Sequence, residues 1–121
     1  MKCLLLLIMA AMMASPAYAL TGDELWKDCQ EEEANFSTGL CMGYILGISV
    51  MLEALSTEYC RPARSTNAQI VDVVKRYLDD NPHERHLPAA DLIVTALSAN
   101  FPCPSHHALR PLHQARQRWP G

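Results

Sequence analysis

Cysteine and histidine are the residues of this 121-residue chain with the most chemistry to offer. Ser105 and His106 are adjacent, but no acid nearby would orient the histidine as a base, so nucleophilic catalysis is not expected. His83 and His86 offer two imidazoles and His106–His107 two more, yet neither spacing matches a zinc site. We therefore expect a protein without catalytic residues, metal or cofactor.

Residues 1–19 have the parts of a secretory signal peptide in the correct order. Lys2 supplies the positive charge, the apolar run Cys3–Met13 follows, and Ala17 and Ala19 are the small residues that signal peptidase reads. The apolar run is too short for a bilayer span, which needs about 20 residues. We predict export and cleavage after Ala19, with no membrane span in the mature chain.

Export makes disulfide bonds between the cysteines an expected feature, because disulfides persist in oxidising compartments. Loss of Cys3 leaves an even number in a short domain, which indicates two disulfides with three possible pairings. The four cysteines are Cys29, Cys41, Cys60 and Cys103.

Helix signals divide the remaining chain into an all-α bundle of four to five helices. Thr21 and Glu24 form one capping box and Thr66 and Gln69 another, each opening a helix. Pro88 is placed as the first residue of the last long helix. The predicted helices cover about residues 21–33, 40–55, 66–80 and 88–101, with a turn at 35–39 and one short helical turn after Asn81.

The second predicted helix is unusually apolar. Leu40–Leu52 contains a single polar residue, Ser49, which is typical of a buried central helix. Gly43 and Gly47 lie four residues apart on one face, so we expect another element to pack closely there. Glu53 ends the apolar run before it reaches the length of a membrane span.

An up-and-down arrangement of these helices selects among the disulfide pairings. Short connections favour antiparallel neighbours, so Cys29 at the end of helix one faces Cys41 near the start of helix two. Cys60 and Cys103 then meet at the opposite end of the bundle. We predict the pairs Cys29–Cys41 and Cys60–Cys103.

Residues 20–104 form the predicted domain, and residues 105–121 a flexible basic tail carrying Arg110, Arg116 and Arg118. Removing Lys2 with the signal peptide leaves nine basic and 13 acidic residues, a formal charge of −4. An acidic chain is a poor match for phosphate, so nucleic acid is not an expected partner.

Short segments spread over residues 22–104 give the chain a family resemblance. They include Leu25-Trp26, Cys41-Met-Gly-Tyr-Ile-Leu-Gly47, Tyr59-Cys-Arg-Pro62, Gln69-Ile-Val-Asp-Val-Val74 and Phe101-Pro-Cys-Pro104. Their order and spacing resemble the Rap/Tai immunity proteins, which protect against peptidoglycan amidases delivered by type VI secretion. The resemblance implies an all-helical periplasmic protein, often a homodimer, that occludes the catalytic cleft of an exported amidase.

The partner surface is predicted in the polar connection between the last two helices, at Asn81, His83, Glu84, Arg85 and His86. The alternative is that Arg85 and His86 brace the fold. A second alternative concerns function: a small periplasmic stress or envelope-associated protein, similar to an acid-response chaperone, without an amidase partner.

Overall fold

The computed structural model describes residues 19–104, which form four α-helices and no strand. The body of the predicted signal peptide and the predicted basic tail, with Ser105, His106 and His107, lie outside the described residues. Within 19–104 the all-α prediction is confirmed. The elements are α1 (Gly22–Gln30), α2 (Phe36–Leu55), α3 (Asn67–Asp80), a 3-10 turn (Pro82–Glu84) and α4 (Ala89–Asn100).

Both predicted capping boxes are present. The backbone N–H of Thr21 donates to the Glu24 carboxylate at 2.9 Å, and the N–H of Glu24 donates to the Thr21 hydroxyl at 3.3 Å. Thr66 and Gln69 repeat the arrangement at 2.9 and 3.2 Å. These side chains satisfy N–H groups that the first turn of a helix leaves unpaired.

Helix α2 begins at Phe36, earlier than predicted, and absorbs the predicted turn at 35–39. The reason is an N-cap: the Asn35 side chain accepts from the N–H of Thr38 at 3.0 Å. The Thr38 hydroxyl also donates to the carbonyl of Glu33 at 2.6 Å, which fixes the chain entering the helix. Residues of turn-forming type therefore start the helix here.

Each of the four helices contacts the other three around one core. Full burial of a large apolar side chain stabilises a fold by about 1.5–3 kcal/mol. The single buried polar side chain of the described residues, Ser49, is hydrogen-bonded to the Tyr59 hydroxyl at 2.9 Å. The largest fully buried side chains are Leu25, Ile45, Ile70, Val74, Leu78, Ile93 and Leu97.

Both predicted disulfides are confirmed. Cys29–Cys41 joins α1 to α2 with a Cα–Cα distance of 5.2 Å, and Cys60–Cys103 joins the segments after α2 and α4 at 4.7 Å. They span 12 and 43 positions of sequence, so loop closure contributes roughly 3 and 4 kcal/mol respectively.

The prediction that α2 is a buried central helix is wrong. Its buried residues form one stripe, Cys41, Ile45, Ser49 and Leu52, because the three other helices pack on the same side. We call the opposite side the outer face of α2; it comprises Phe36, Gly39, Leu40, Gly43, Gly47, Val50, Met51 and Ala54. Except for the half-buried Leu40, these residues are exposed.

The glycines of α2 also differ from the prediction. A Cβ atom added at Gly39, Gly43 or Gly47 would meet nothing within 4 Å, so no element of the described chain packs there. By length and hydropathy alone, α2 is the one described helix that could cross a membrane. Its buried stripe, covalently tied to α1 through Cys41, instead makes it a core helix with an open side.

Candidate functional site

The α3–α4 loop, residues 81–88, contains every residue predicted to meet a partner. The N–H of Asn81 donates to the carbonyl of Tyr77 at 3.0 Å and ends α3. The N–H of Glu84 then donates to the carbonyl of Asn81 at 3.1 Å, and that of Leu87 to Glu84 at 2.9 Å. This confirms the short helical turn predicted after Asn81 and gives the loop a defined backbone path.

The N-terminal end of the domain pairs with the second half of this loop. The N–H groups of Gly22 and Asp23 donate to the carbonyls of Leu87 and Arg85 at 2.9 and 2.7 Å. In return, the N–H of Ala89 donates to the carbonyl of Leu20 at 2.7 Å. Three backbone hydrogen bonds therefore hold the loop against the start of α1.

This pairing explains why α4 begins at Ala89, one residue after the predicted start. Pro88 has an extended backbone (φ −56°, ψ 132°) and forms an isolated β-bridge with Thr21. The carbonyl of Leu20 then satisfies the N–H of Ala89 at the start of α4, since Pro88 has no side-chain oxygen to cap it.

Gly22 is required at the contact between α1 and the loop. A Cβ atom there would lie 2.9 Å from the carbonyl oxygen of Arg85 and 2.3 Å from Cδ1 of Leu92. Gly22 is therefore a close-approach glycine, the role that the sequence had assigned to the open glycines of α2.

Arg85 occupies the inner side of the loop. Its Nε donates to the carbonyl of Leu78 at 2.6 Å, and Nη2 donates to that of Asp79 at 3.4 Å. A cation close to the last carbonyls of a helix is favourable, because the C-terminal end of a helix carries partial negative charge. The guanidinium of Arg85 thus closes the C-terminal end of α3.

Trp26 covers the other side of that guanidinium, whose Cζ lies 4.1 Å from the ring centroid. The indole Nε1 donates to the carboxylate of Asp79 at 2.7 Å. Trp26 is packed against the core, and it also links α1 to the end of α3. The stacking and the hydrogen bond join Trp26, Asp79 and Arg85 into one brace.

Glu84 is held from α3. The Tyr77 hydroxyl donates to the Glu84 carboxylate at 2.5 Å. This hydrogen bond, with partial burial of the phenol as a smaller cause, raises the pKa of Tyr77 above its ordinary value of 10.0. Asn81 is similarly engaged, since its side-chain amide donates to the carbonyl of Tyr77 at 2.8 Å.

The side chains of His83 and His86, in contrast to those of Glu84 and Asn81, are exposed to solvent. The His83 side chain is 75% exposed and lies 3.7 Å from the Glu84 carboxylate, while exposed His86 pairs Nδ1 with the carbonyl of His83 at 2.9 Å. Leu87, 39% exposed, continues this surface. The loop therefore presents His83, His86 and Leu87, whereas Asn81, Glu84 and Arg85 hold it in place.

The structure brings together no metal-binding cluster within residues 19–104: no group of three or more His, Cys, Asp or Glu side chains there could hold an ion. The two exposed imidazoles of the loop share no further ligand. The chemistry that the α3–α4 loop supports is recognition, through hydrogen bonds from histidine nitrogens and apolar contact with Leu87.

A groove that sequence reasoning missed runs along α3. It has a volume of about 450 Å³ and is lined by the apolar residues Val73 and Phe101 together with Arg64 and Arg76. A smaller depression next to it reaches Asn81 and therefore the α3–α4 loop. Phe101 and Val73 are 28 positions apart, so no local sequence pattern signals this groove.

Comparison with known proteins finds one matching protein family. The family model of the Rap1a immunity proteins matches residues 21–103, nearly the whole described region. No curated protein matches the chain. The family match indicates an immunity protein directed against a secreted effector, and together with the disulfides it indicates an exported protein.

Proposed function

This chain belongs to the Rap1a immunity protein family, and we propose that it is a periplasmic immunity protein that binds and inhibits a peptidoglycan amidase effector of type VI secretion. In this proposal residues 1–19 are a cleaved signal peptide and residues 20–104 form the inhibitory domain. The tail at 105–121 follows that domain. Inhibition needs only binding, so the protein itself performs no catalysis.

The periplasm suits the covalent structure of this domain. Disulfides form and persist in that compartment, whereas the bacterial cytosol keeps thiols reduced. Both disulfides join segments that hold the core, and in the loop-entropy description each contributes about 3–4 kcal/mol. That is a large share of the roughly 5–15 kcal/mol by which domains are stable.

The brace around the α3–α4 loop is the observation that carries the proposed binding site. Arg85, Trp26 and three backbone hydrogen bonds fix the loop without any partner present. A loop that is already ordered loses little conformational entropy when it binds, which favours tight and specific inhibition. We assign insertion into the amidase cleft to this loop, with His83, His86 and Leu87 making contact.

An activity assay with the mature protein tests the proposal. A type VI amidase effector from the same genome is incubated with peptidoglycan, and cleavage of the peptide crosslinks is followed as the mature chain is added. We expect inhibition to be complete near one inhibitor per enzyme. Full amidase activity in excess inhibitor would contradict the proposal. Retention of many unrelated periplasmic proteins at acid pH would favour the chaperone-like alternative instead.

Two variants separate contact from bracing. The double variant His83→Ala with His86→Ala removes exposed side chains, so we expect weaker inhibition with an unchanged melting temperature. Arg85→Ala removes the brace and is expected to lower both. If the double variant inhibits as well as the wild type, the histidines are not part of the interface.

The resemblance to Rap/Tai proteins also implies pairing of two inhibitor chains, and we include a homodimer in the proposed function. Each protomer then carries one α3–α4 loop.

A further inference from the structure

The groove along α3 is lined by three segments of the chain. One face of α3 contributes Gln69, Val73 and Arg76, which follow each other at helical spacing. Ser65 lines the groove from the segment before α3, and Phe101 lines it from the end of α4. Its volume of about 450 Å³ lies within the range of small-molecule sites, about 300–1,000 Å³. The groove is therefore large enough for a short organic ligand.

Hydrogen bonds and a disulfide hold the two segments that flank α3 in the groove. The N–H and the hydroxyl of Ser65 both donate to the carbonyl of Pro62, at 3.0 and 2.8 Å. The carbonyl of Phe101 accepts from the N–H of Cys60 at 2.9 Å, and the Cys60–Cys103 disulfide closes the same segment. The groove is thus formed without a ligand, and a formed site loses little conformational entropy on binding.

Two arginines give the groove a local charge opposite to that of the domain. Residues 20–104 contain 13 acidic and only six basic residues, so the domain as a whole is acidic. Arg64 and Arg76 both line the groove, are exposed, and form no ion pair within residues 19–104. A guanidinium presents a planar fork of donors that matches a carboxylate. The two arginines therefore favour a ligand that carries carboxylate groups.

One carboxylate, that of Asp72, lines the same groove. Asp72 is exposed and likewise forms no ion pair with the part of the chain that the structure describes. An ammonium group suits this position. The groove thus carries two positive charges and one negative charge. A free peptide with one acidic side chain carries the reverse, because it has two carboxylates and one N-terminal ammonium.

The uncharged side chains of the groove match the rest of such a peptide. Val73 and Phe101, both half-buried, offer apolar contact to one side chain. The Gln69 oxygen accepts from the N–H of Thr66 at 2.9 Å, and the Gln69 amide nitrogen can donate to a peptide carbonyl. Gln69 and Arg76 are seven positions apart, about 10 Å along the helix axis, which is the length of about three extended residues.

We infer that the groove along α3 binds a free short peptide of about three residues that has one apolar and one acidic side chain. Arg64 and Arg76 bind its carboxylates, and Asp72 binds its ammonium group. The inference goes beyond the proposed function and does not depend on it, because the exposed residues assigned to effector contact, His83, His86 and Leu87, do not line this groove.

Other occupants match these charges less well. Residues 105–121 of the chain itself contain Arg110, Arg116 and Arg118, which have the same charge as the two arginines of the groove. A segment within a longer protein can supply an acidic side chain, but it has neither terminal charge. The pattern of two cations and one anion therefore favours a free peptide.

Titration calorimetry of the mature protein with the tripeptide Ala-Leu-Glu, free at both ends, tests the inference. We expect one site per chain. Arg76→Gln removes one cation of the groove and is expected to raise the dissociation constant about fivefold. Because Arg76 is exposed and forms no ion pair within residues 19–104, this variant should keep the wild-type melting temperature.

Lys75→Gln is the matched control. It removes the same charge from the neighbouring position of α3, which does not line the groove, so its affinity should stay within about twofold of the wild type. An equal loss of affinity in Arg76→Gln and Lys75→Gln would overturn the inference, and so would a wild type that does not bind Ala-Leu-Glu at millimolar concentration.

The same tripeptide with an acetylated N-terminus and an amidated C-terminus tests the terminal charges. It keeps the acidic side chain, and we expect it to bind more weakly than the free peptide. Asp72→Asn should reduce the difference between the two peptides. Equal binding of both peptides to the wild type would overturn the inference and would show a site for a segment of a longer chain instead.

Discussion

The α3–α4 loop and the outer face of α2 differ in what the rest of the domain does for them. The loop is polar, and three of its side chains bond to neighbouring elements, most extensively Arg85. The outer face of α2 is apolar, and the described chain leaves its glycines uncovered. One surface is fixed before any partner arrives, whereas the other lacks a packing partner among residues 19–104.

Glycine shows the difference most directly. Gly22 admits no Cβ because the backbone of the α3–α4 loop lies against it, while Gly43 faces open space. A rigid polar loop suits recognition of one shaped cleft, since little entropy is lost on binding. The outer face of α2, in contrast, is open at its glycines and carries no charged side chain.

Removal of disulfides is expected to have the largest effect, because both surfaces depend on the same covalent frame. Replacing Cys60 and Cys103 by alanine should lower the free energy of unfolding by about 4 kcal/mol, and replacing Cys29 and Cys41 by about 3 kcal/mol. Urea denaturation of the two double variants measures this. A larger loss for the Cys29 and Cys41 variant than for the Cys60 and Cys103 variant would contradict this. It would show that the link between α1 and α2 stabilises the fold by more than loop closure explains.

Alanine at Gly22 and at Gly43 should change stability in opposite directions. Gly22→Ala forces a methyl group against the Arg85 carbonyl and is expected to cost about 1–3 kcal/mol. Gly43→Ala lies in open space and should gain about 0.5–1 kcal/mol from helix propensity. Thermal unfolding at dilute concentration measures both. If both substitutions changed stability in the same direction, the close packing at Gly22 and the open space at Gly43 would not distinguish the two surfaces.

Within the α3–α4 loop, replacing an inward-facing side chain should reduce stability more than replacing an exposed one. Arg85→Ala loses hydrogen bonds to two carbonyls and the stacking on Trp26, so we expect a loss of about 2 kcal/mol. His86→Ala, at an exposed position, should change stability by less than about 0.5 kcal/mol. Chemical denaturation checks the pair. A large loss for His86→Ala would mean that this histidine also braces the fold.

The smallest expected effect is a pH dependence at the start of α1. Hydrogen bonds from the backbone and then the hydroxyl of Thr21 lower the pKa of Glu24 below its ordinary value of 4.5. A lowered carboxyl pKa stabilises the fold above the unfolded value, and the gain is lost as pH falls through the folded value. Wild-type stability should therefore fall more steeply than that of Glu24→Gln below pH 4.5.

The second capping box supplies the matched test. Gln69 cannot titrate, so Gln69→Glu should introduce the same acid-dependent loss at the start of α3. If Glu24→Gln and the wild type lose stability in parallel, the Glu24 carboxylate does not contribute through its hydrogen bonds to Thr21.

Local signals in the sequence predicted much of the fold. Capping residues such as Thr21 and Thr66 act on N–H groups three positions away, so the starts of α1 and α3 were readable. The disulfides followed because short connections limit how four helices can be arranged. Asn35 was interpreted as part of a turn, since the same residue type favours both turns and N-caps.

Contacts distant in sequence explain what could not be predicted. Arg85 stacks on Trp26 from 59 positions away, so only the folded chain shows that it is a brace. Hydrophobicity alone did not distinguish a helix buried on all sides from α2, whose outer face stays open. The residues predicted for partner contact lie together on one loop of the structure, and their binding role stays a prediction.

Inhibition of the amidase by three matched variants tests the central claim that the two surfaces have separate roles. We predict that His83→Ala with His86→Ala inhibits weakly although it keeps the wild-type melting temperature. We predict that Gly43→Leu, at an open position of α2, inhibits at full strength, and that Ala99→Leu, at an exposed position of α4, behaves like the wild type. Loss of inhibition by Gly43→Leu, with undiminished inhibition by the histidine variant, would contradict the account.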